Sequence, residues 1–318
     1  MTNPSPLVSV CMTAYNQEKY IAQAIESVLE QQTSFDVELV VGEDCSKDRT
    51  REICQRYVEK YPGRVRLITS PENVGMRANY KRIIEACRGR YIAMCDGDDW
   101  WINTRKLETQ VGILESDPGC GMCYSRSLFW LETEHRVKEL FPAGEAHVTF
   151  DELMQYNTVP NCTALVRADL VKSYYSEIRP LEKNWPLDDY TMWFWCAAHA
   201  RIHFTDCVFA GYRALNDSSS HFSDIQAKVR YEDQVADIRR WFDDAFSHRS
   251  HYWELAKWQL LFGLELLKPL GFRATLGYWA RTVAAHPRLL SLGRGYHAVS
   301  RAFRKSLKKK LKINGRRK

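Results

Sequence analysis

Residues 91–101 of the chain read YIAMCDGDDWW. Five apolar residues form a short predicted strand, and Asp96, Asp98 and Asp99 follow it within four positions. Carboxylates so close together repel one another unless a cation or solvent relieves the repulsion. Mg²⁺ and Mn²⁺ prefer oxygen ligands, and Mg²⁺ commonly bridges carboxylates to phosphates. The stretch therefore predicts a divalent-metal site for a phosphate-bearing ligand, with a solvated acidic turn as the alternative.

Upstream of this stretch, predicted strands and helices alternate. The predicted strands are 7–12, 37–42, 65–69 and 91–95, and the predicted helices are 17–31, 50–61 and 76–87. This alternation is typical of an α/β fold with a mostly parallel central sheet and flanking helices. Ligands of such sheets bind at the carboxyl ends of the strands, where this chain reads TAYN, EDCSKD, SPENVG and DGDDW. The sequence therefore predicts one polar site built from these loops.

The charge of the chain is unevenly distributed. The 318 residues contain 45 Lys and Arg against 39 Asp and Glu, which gives a net charge of +6. Fifteen of the basic residues, and no acidic one, follow Glu265, so a body of net charge −9 precedes a tail of +15. This asymmetry argues against a uniformly basic nucleic-acid-binding protein. A content of 45% hydrophobic residues also excludes a disordered chain.

The absence of membrane and disulfide features predicts a cytoplasmic location. The first residues, MTNPSPLVSV, lack the basic start and apolar stretch of a signal peptide. No run of about 18 apolar residues, as a spanning helix requires, is present. The ten cysteines form no disulfide framework, and the single CxxC, Cys120 to Cys123, is interpreted as buried core thiols.

Two phosphate-binding motifs are missing from the chain. Neither a Walker loop, GxxxxGK[ST], nor a GxGxxG fingerprint occurs. A nucleotide bound here would therefore need a metal ion to neutralise its diphosphate. This favours group transfer from a nucleotide-diphosphate compound, with the metal stabilising the leaving group.

Three stretches together resemble glycosyltransferase family 2. They are VSVCMTAYNQEKYIAQAIESVLEQ, ELVVGEDCSKDRT and ENVGMRANYKRIIEACRGRYIAMCDGDDWW. The resemblance covers about residues 7–220, and the ordered set is much more specific than any one motif. It implies a GT-A (Rossmann-like) fold and an inverting, metal-dependent transfer of a sugar from a nucleotide donor.

The resemblance also implies roles for individual residues. Implied nucleotide-binding residues are Thr13, Ala14, Tyr15, Asp44, Arg77 and Asp96, and implied metal ligands are Asp96, Asp98 and Asp99. Physically, Tyr15 can stack on a base and Asp44 can accept an imide N–H, which suits uracil or thymine, and a UDP-sugar is the expected donor. Glu43 and Cys45 depart from the VDDGS pattern of many relatives, so the base stays open. For Arg77, an exposed helix arginine is the alternative interpretation.

An inverting transfer needs a base that takes the proton of the acceptor hydroxyl. The resemblance implies that Asp189 is this base, while Asp188 could cap the aromatic helix that follows. A purely capping role for Asp189 is the alternative. The resemblance further suggests that Arg213 neutralises the diphosphate and that His221 is an additional metal ligand.

The expected organisation is a catalytic domain, residues 1–222, and a helical C-terminal region, residues 223–318. Within Tyr296 to Ile313, apolar residues recur every three or four positions among Lys and Arg. This pattern predicts a basic amphipathic helix on an anionic membrane, with a solvated tail as the alternative. We therefore expect a peripheral enzyme at the inner face of the cell membrane, acting on a glycan or lipid-linked acceptor in bacterial surface polysaccharide or lipopolysaccharide synthesis.

Two other functions compete with this interpretation. A sugar nucleotidyltransferase would show a Gly-rich loop with Arg and Lys after the first strand, and TAYNQEKY has none. A non-catalytic basic module would bind lipid or nucleic acid through its tail. Loss of activity in Asp98→Ala or Asp189→Ala distinguishes the glycosyltransferase from the basic module.

Overall fold

The computed structural model describes residues 5–215, 224–287 and 289. The chain divides into two units, Met1–Ser218 and Ser219–Lys318. His221 and the predicted tail helix, 296–313, lie outside the described residues. The domain boundary expected after residue 222 stays a prediction, because it too falls among residues that are not described.

A nine-stranded sheet spans the described part of the first unit. Its strands are β1 (Val8–Ala14), β2 (Val37–Glu43), β3 (Val65–Thr69), β4 (Tyr91–Met94), β5 (Trp100–Trp101), β6 (Cys120–Leu131), β7 (Arg136–Phe141), β8 (Leu165–Arg167) and β9 (Arg201–Ala214). The strand order is β3-β2-β1-β4-β8-β6-β9-β5, and β7 pairs with β6. The four predicted strands are confirmed as parallel neighbours. The later strands add antiparallel pairs, so the complete sheet is mixed.

Helices cover both faces of this sheet. They are α1 (Ile21–Leu29), α2 (Thr50–Lys60), α3 (Met76–Ala86), α4 (Lys106–Ser116), α5 (Phe150–Leu153), α6 (Ala168–Ser173) and α7 (Asp189–His199). Side chains alternate across a strand, and one face of β1 joins α1 and α2 in a hydrophobic core. Helix α3 packs on the opposite face, where a side chain at Gly42 would collide with Asn79 and Ile83. This glycine therefore permits close packing of α3 on β2.

The second unit is helical in its described part, as the sequence predicts. It contains α8 (Ile225–Phe246), α9 (Tyr252–Leu267) and α10 (Phe272–Ala285). Its core includes Val229 on α8, Ala256 and Leu260 on α9, and Tyr278 on α10. Within residues 5–215, 224–287 and 289, no helix has both the length and the apolar character that crossing a membrane requires.

Candidate functional site

The predicted loops converge because β2, β1 and β4 are adjacent and parallel. The hydroxyl of Thr13, at the end of β1, donates to Asp96 Oδ1 at 2.6 Å. The backbone N–H of Asp44, after β2, donates to the carbonyl of Ala14 at 3.0 Å. These contacts bring three loops from distant parts of the sequence to one edge of the sheet. Thr13 and Ala14 are buried, so they support this edge from within.

Tyr15 is the exposed aromatic residue of the first loop. Its relative accessibility is 41%, whereas the preceding Ala14 is 2% exposed. The next residue, Asn16, has a positive φ of 52°. The ring of Tyr15 is therefore accessible to a planar ligand, as base stacking requires.

Asp44 is buried and its carboxylate already has protein partners. Asp44 Oδ1 accepts from the backbone N–H of Val74, and Oδ2 accepts from that of Gly75, both at 2.9 Å. Arg82 approaches Oδ1 at 3.6 Å. The sequence predicts an acceptor for a base, but the structure shows a carboxylate that joins β2 to the start of α3.

The neighbouring Glu43 is also part of the framework. Its side chain is fully buried, forms an ion pair with Arg51 and accepts a hydrogen bond from the backbone N–H of Ser46. Cys45, between these contacts, adopts a positive φ of 60°. Glu43 and Cys45, which depart from the VDDGS pattern, thus lie in a tightly bonded turn.

Asp96 is held from two sides. In addition to Thr13, the side-chain amide of Asn161 donates to Asp96 Oδ2 at 2.8 Å. Burial raises the pKa of Asp96, and the two hydrogen bonds oppose this shift. Asn161 therefore orients an acidic side chain of the loop.

Asp99 is the most buried carboxylate of the acidic loop, with 3% exposure. Its Oδ1 accepts a hydrogen bond from the backbone N–H of Arg213 at 2.9 Å. Burial, together with the charges of Asp98 and Asp96, raises the pKa of Asp99 well above its usual range. The sequence predicts that Asp99 is a metal ligand. In the structure its carboxylate is buried against β9 and bonded to Arg213.

Asp98 differs from Asp99 because it is partly exposed. Its backbone carbonyl accepts a hydrogen bond from Arg213 Nε at 2.8 Å, which fixes the turn around it. Of the two carboxylates expected to form a metal-binding pair, Asp98 is thus the one that solvent reaches.

Arg213 is buried, with 7% exposure, and its guanidinium group is fully engaged. Besides Asp98, it pairs with Glu132, and its Nη2 donates to Gln23 Oε1 at 2.8 Å. Its guanidinium carbon also lies 4.6 Å from the ring centre of Tyr20 and 4.7 Å from that of Trp100. The sequence predicts a diphosphate contact, whereas the structure shows an arginine that holds the acidic loop. The sequence offers no local signal for the roles of Glu132 and Gln23.

The acidic loop offers oxygen ligands of the kind that Mg²⁺ or Mn²⁺ prefers. In the described part of the chain, however, no three Asp, Glu, His or Cys side chains are grouped to hold a metal ion. Mg²⁺ commonly binds through one or two carboxylates plus substrate phosphates and water. The carboxylates of the loop therefore fit a cation that is shared with a diphosphate, and not a closed protein site.

Asp189 is the first residue of α7 and is partly buried. Burial raises the pKa of its carboxyl group to about 6, the charges of Asp96 and Asp188 add to the shift, and a backbone hydrogen bond from Tyr190 opposes it. The influence of Asp96 indicates that Asp189 lies near the acidic loop. A carboxylate with a pKa near 6 is suited to accept a proton at neutral pH.

Asp188 and Arg77 form an ion pair beside Asp189. Asp188 occupies the N-cap position of α7, yet its side chain makes no capping hydrogen bond. Its Oδ1 instead accepts from Arg77 Nε at 2.7 Å. Asp188 is thus the N-cap residue, but its side chain pairs with Arg77 and does not cap the helix. Arg77 contacts this segment, whereas the sequence predicts a nucleotide contact for it.

A separate cavity of about 570 Å³ lies against α3 and α6. Lys81, Tyr175 and Pro180 are among its lining residues, and none of the predicted site residues is. The candidate site is therefore distinct from this cavity and lies at the sheet edge.

Comparison with known proteins relates the first unit to one family. The family model described as "Glycosyl transferase family 2" matches residues 9–173. An uncharacterized protein of Mycobacterium tuberculosis is 38% identical over 146 residues, which is 46% of this chain and 39% of that protein. The putative teichuronic acid biosynthesis glycosyltransferase TuaG of Bacillus subtilis is 32% identical over 166 residues, 52% of this chain and 64% of TuaG. The alignments thus span less than two thirds of these relatives.

Two solved structures share the fold of the chain. S. aureus TarS 1–349 in complex with UDP-GlcNAc aligns with a TM-score of 0.58 and 17% identity, over 94% of this chain and 91% of TarS 1–349. Mannosyltransferase PcManGT of Pyrobaculum calidifontis, in complex with GDP-Man and Mn²⁺, aligns with a TM-score of 0.56 and 15% identity. That alignment covers 95% of this chain and 87% of PcManGT. At this identity, the likeness establishes the fold, which is that of GT-A glycosyltransferases.

Proposed function

The chain belongs to glycosyl transferase family 2, and from this membership we propose that it transfers a sugar from a nucleoside-diphosphate donor to a hydroxyl group. The observation that carries the proposal is that Asp189, the first residue of α7, lies close enough to the acidic loop for the charge of Asp96 to affect it. The charge of Asp96 contributes to the raised pKa of Asp189. A proton acceptor and a loop suited to a cation therefore serve one site.

The donor occupies the edge formed by the loops after β1, β2 and β4. Tyr15, 41% exposed, stacks on the base. Asp44, although bonded to the N–H groups of Val74 and Gly75, retains unshared lone pairs for an imide N–H. This chemistry suits uracil or thymine, and the donor we propose is a UDP-sugar.

Asp98 and Asp96 would hold Mn²⁺ or Mg²⁺ together with the donor diphosphate. When bound there, the cation supplies the positive charge that stabilises the departing diphosphate. Arg213 contributes by fixing the Asp98 carbonyl and the Asp99 side chain, so the loop keeps its shape. Asp99 and Arg213 thus act as supports, not as contacts to the donor.

Asp189 removes the proton from the acceptor hydroxyl. The acceptor oxygen attacks the anomeric carbon with its electron pair as the bond from that carbon to the diphosphate oxygen breaks. Attack from the face opposite the leaving group inverts the configuration at this carbon. One carboxylate base is sufficient, because the leaving group is a diphosphate that departs without needing a proton.

The acceptor is proposed to be a growing cell-envelope polysaccharide or its lipid-linked precursor. TuaG is named for teichuronic acid biosynthesis. The similar E. coli protein WfaP is named as a glucosyltransferase acting on a diphosphoundecaprenol-linked sugar. Acceptors of this kind lie at a membrane, and the basic tail after Glu265 would hold the enzyme there.

A screen of nucleotide sugars tests the function. The purified chain is incubated with UDP-, GDP- and dTDP-sugars in the presence of Mn²⁺ or Mg²⁺, and nucleoside diphosphate release is measured. Wild-type protein should release diphosphate from at least one donor, and Asp98→Ala should not. Release of pyrophosphate from a nucleoside triphosphate and a sugar phosphate would instead indicate a nucleotidyltransferase.

A further inference from the structure

Arg77 lies in the first turn of α3 and contacts the segment that leads into α7. Its Nε donates to Asp188 Oδ1 at 2.7 Å, its Nη1 donates to the carbonyl of Lys183 at 3.2 Å, and its Nη2 donates to the carbonyl of Pro180. These three acceptors are spread over nine residues of chain that contain little regular structure. One guanidinium group thus fixes the path of residues 180–188.

Asp188 depends on this arginine for its charge balance. The side chain of Asp188 is 8% exposed, and that of Arg77 is 21% exposed. Within the described residues, the second carboxylate oxygen, Oδ2, is buried and has no hydrogen-bond partner. Removing one member of a buried ion pair leaves an uncompensated charge, which is strongly unfavourable. The side chain of Asp188, at the start of α7, is therefore held by its contact with Arg77.

The start of α3, which carries Arg77, is also bonded to the proposed donor site. Gly75 has a φ of 86° and immediately precedes α3. The N–H groups of Val74 and Gly75 donate to the carboxylate of Asp44. The first turn of α3 is therefore bonded to β2 on one side and, through Arg77, to Asp188 on the other.

We infer that Arg77 is a positioning residue for Asp189, and that it links the Val74–Gly75 segment, which is bonded to Asp44, to the start of α7 through its bonds to Pro180, Lys183 and Asp188. This inference rests on the proposed role of Asp189 as the base. It assigns Arg77 no contact with the donor, since all three guanidinium nitrogens donate within the protein.

The first test is kinetic. Displacement of a reacting group by about 1 Å can reduce a rate by about 100-fold. Arg77→Ala is expected to lower kcat by about 10- to 100-fold while donor KM and UDP affinity change by less than about twofold. Arg77→Lys should recover part of kcat, because its charge still compensates Asp188. A large increase in donor KM or in the Kd for UDP, with kcat unchanged, would overturn the inference.

A double variant separates positioning from general destabilisation. Asp188→Asn removes the carboxylate that Arg77→Ala leaves buried and unpaired. Arg77→Ala/Asp188→Asn should therefore retain more activity than Arg77→Ala alone. If the activity losses of Arg77→Ala and Asp188→Asn were strictly additive in the double variant, the coupling between Arg77 and Asp188 would be contradicted. Arg90→Ala serves as the control, because Arg90 is a largely exposed arginine paired with Glu115.

Hydrogen exchange tests the same contact without any activity. In Arg77→Ala, backbone amides of residues 189–193 should exchange at least tenfold faster than in wild-type protein, while the Arg90→Ala control should leave them unchanged. Unchanged exchange in Arg77→Ala would overturn the positioning role even if sugar transfer is observed. If wild-type protein transfers no sugar but the exchange difference appears, the proposed function fails and the structural role of Arg77 stands.

Discussion

The backbone N–H of Arg213 donates to Asp99 Oδ1 at 2.9 Å, although the two residues are 114 positions apart. This bond joins the end of β9 to the acidic loop after β4. Asp99 is buried against β9, whereas the adjacent Asp98 is partly exposed. The two carboxylates therefore have different roles. One stabilises the loop, and we propose that the other binds the cation.

Substitution of these two residues should therefore have different effects. Asp98→Ala is expected to reduce sugar transfer by at least about 100-fold, since it removes a proposed cation ligand. Its free energy of unfolding should change little. Asp99→Ala should lower the free energy of unfolding by about 1–3 kcal/mol, because the Arg213 N–H loses its acceptor. Urea denaturation and transfer assays check both, and an active Asp98→Ala enzyme would contradict the assignment.

Arg213→Ala should mainly destabilise the protein. The substitution removes the ion-pair partner of Glu132 and the donors to Asp98 and Gln23. We expect a loss of about 3–5 kcal/mol in the free energy of unfolding, the range for breaking a buried pair. Chemical denaturation measures this loss. An unchanged unfolding free energy with weaker diphosphate binding would instead favour the contact that the sequence predicts.

Asp189 should control the pH dependence of the reaction. Its pKa is raised to about 6, so the ionised form that can accept a proton increases as the pH rises through 6. We expect kcat/KM to rise about tenfold per pH unit well below pH 6 and to level off above about pH 7. Asp189→Asn should lower kcat by about 10²- to 10⁴-fold and abolish the rise of kcat/KM below pH 6. If kcat/KM of Asp189→Asn still rose in the same way below pH 6, the titrating group would be a residue other than Asp189.

Tyr15 should contribute to nucleotide affinity through its exposed ring. Loss of base stacking costs about 1–3 kcal/mol when aromatic residues are replaced by alanine. Tyr15→Ala should therefore weaken UDP binding by about 5- to 150-fold. Tyr15→Phe is the matched control and should bind normally. Calorimetric titration with UDP distinguishes these outcomes, and equal affinities for wild-type and Tyr15→Ala protein would exclude stacking.

The basic tail provides a prediction about membranes. A chain truncated after residue 295 should bind vesicles containing anionic lipid much more weakly than the full chain. Binding of the full chain should fall as salt increases, because each basic residue near such a surface contributes about 1 kcal/mol through a screened interaction. Neutral vesicles serve as the control. Undiminished binding of the truncated chain to anionic vesicles would exclude this role.

Local patterns were sufficient to predict β1 to β4 and the loop around Asp96. Each of these strands is a short apolar run followed by polar residues, and parallel neighbours necessarily bring such loops together. The partners of Arg213 and Arg77 could not be predicted in this way. Gln23 is 190 positions from Arg213, and Asp188 is 111 positions from Arg77. Such pairs depend on how β9 and the segment before α7 pack, which local sequence does not encode.

The configuration of the product tests the central claim most directly. An active donor with an α-linked sugar is incubated with the enzyme and an acceptor, and the anomeric configuration of the first product is determined by NMR. We predict a β-linked product, because one attack aided by Asp189 inverts the anomeric carbon. An α-linked product would require two successive inversions or another mechanism, and would contradict the account of Asp189 as the base of a single displacement.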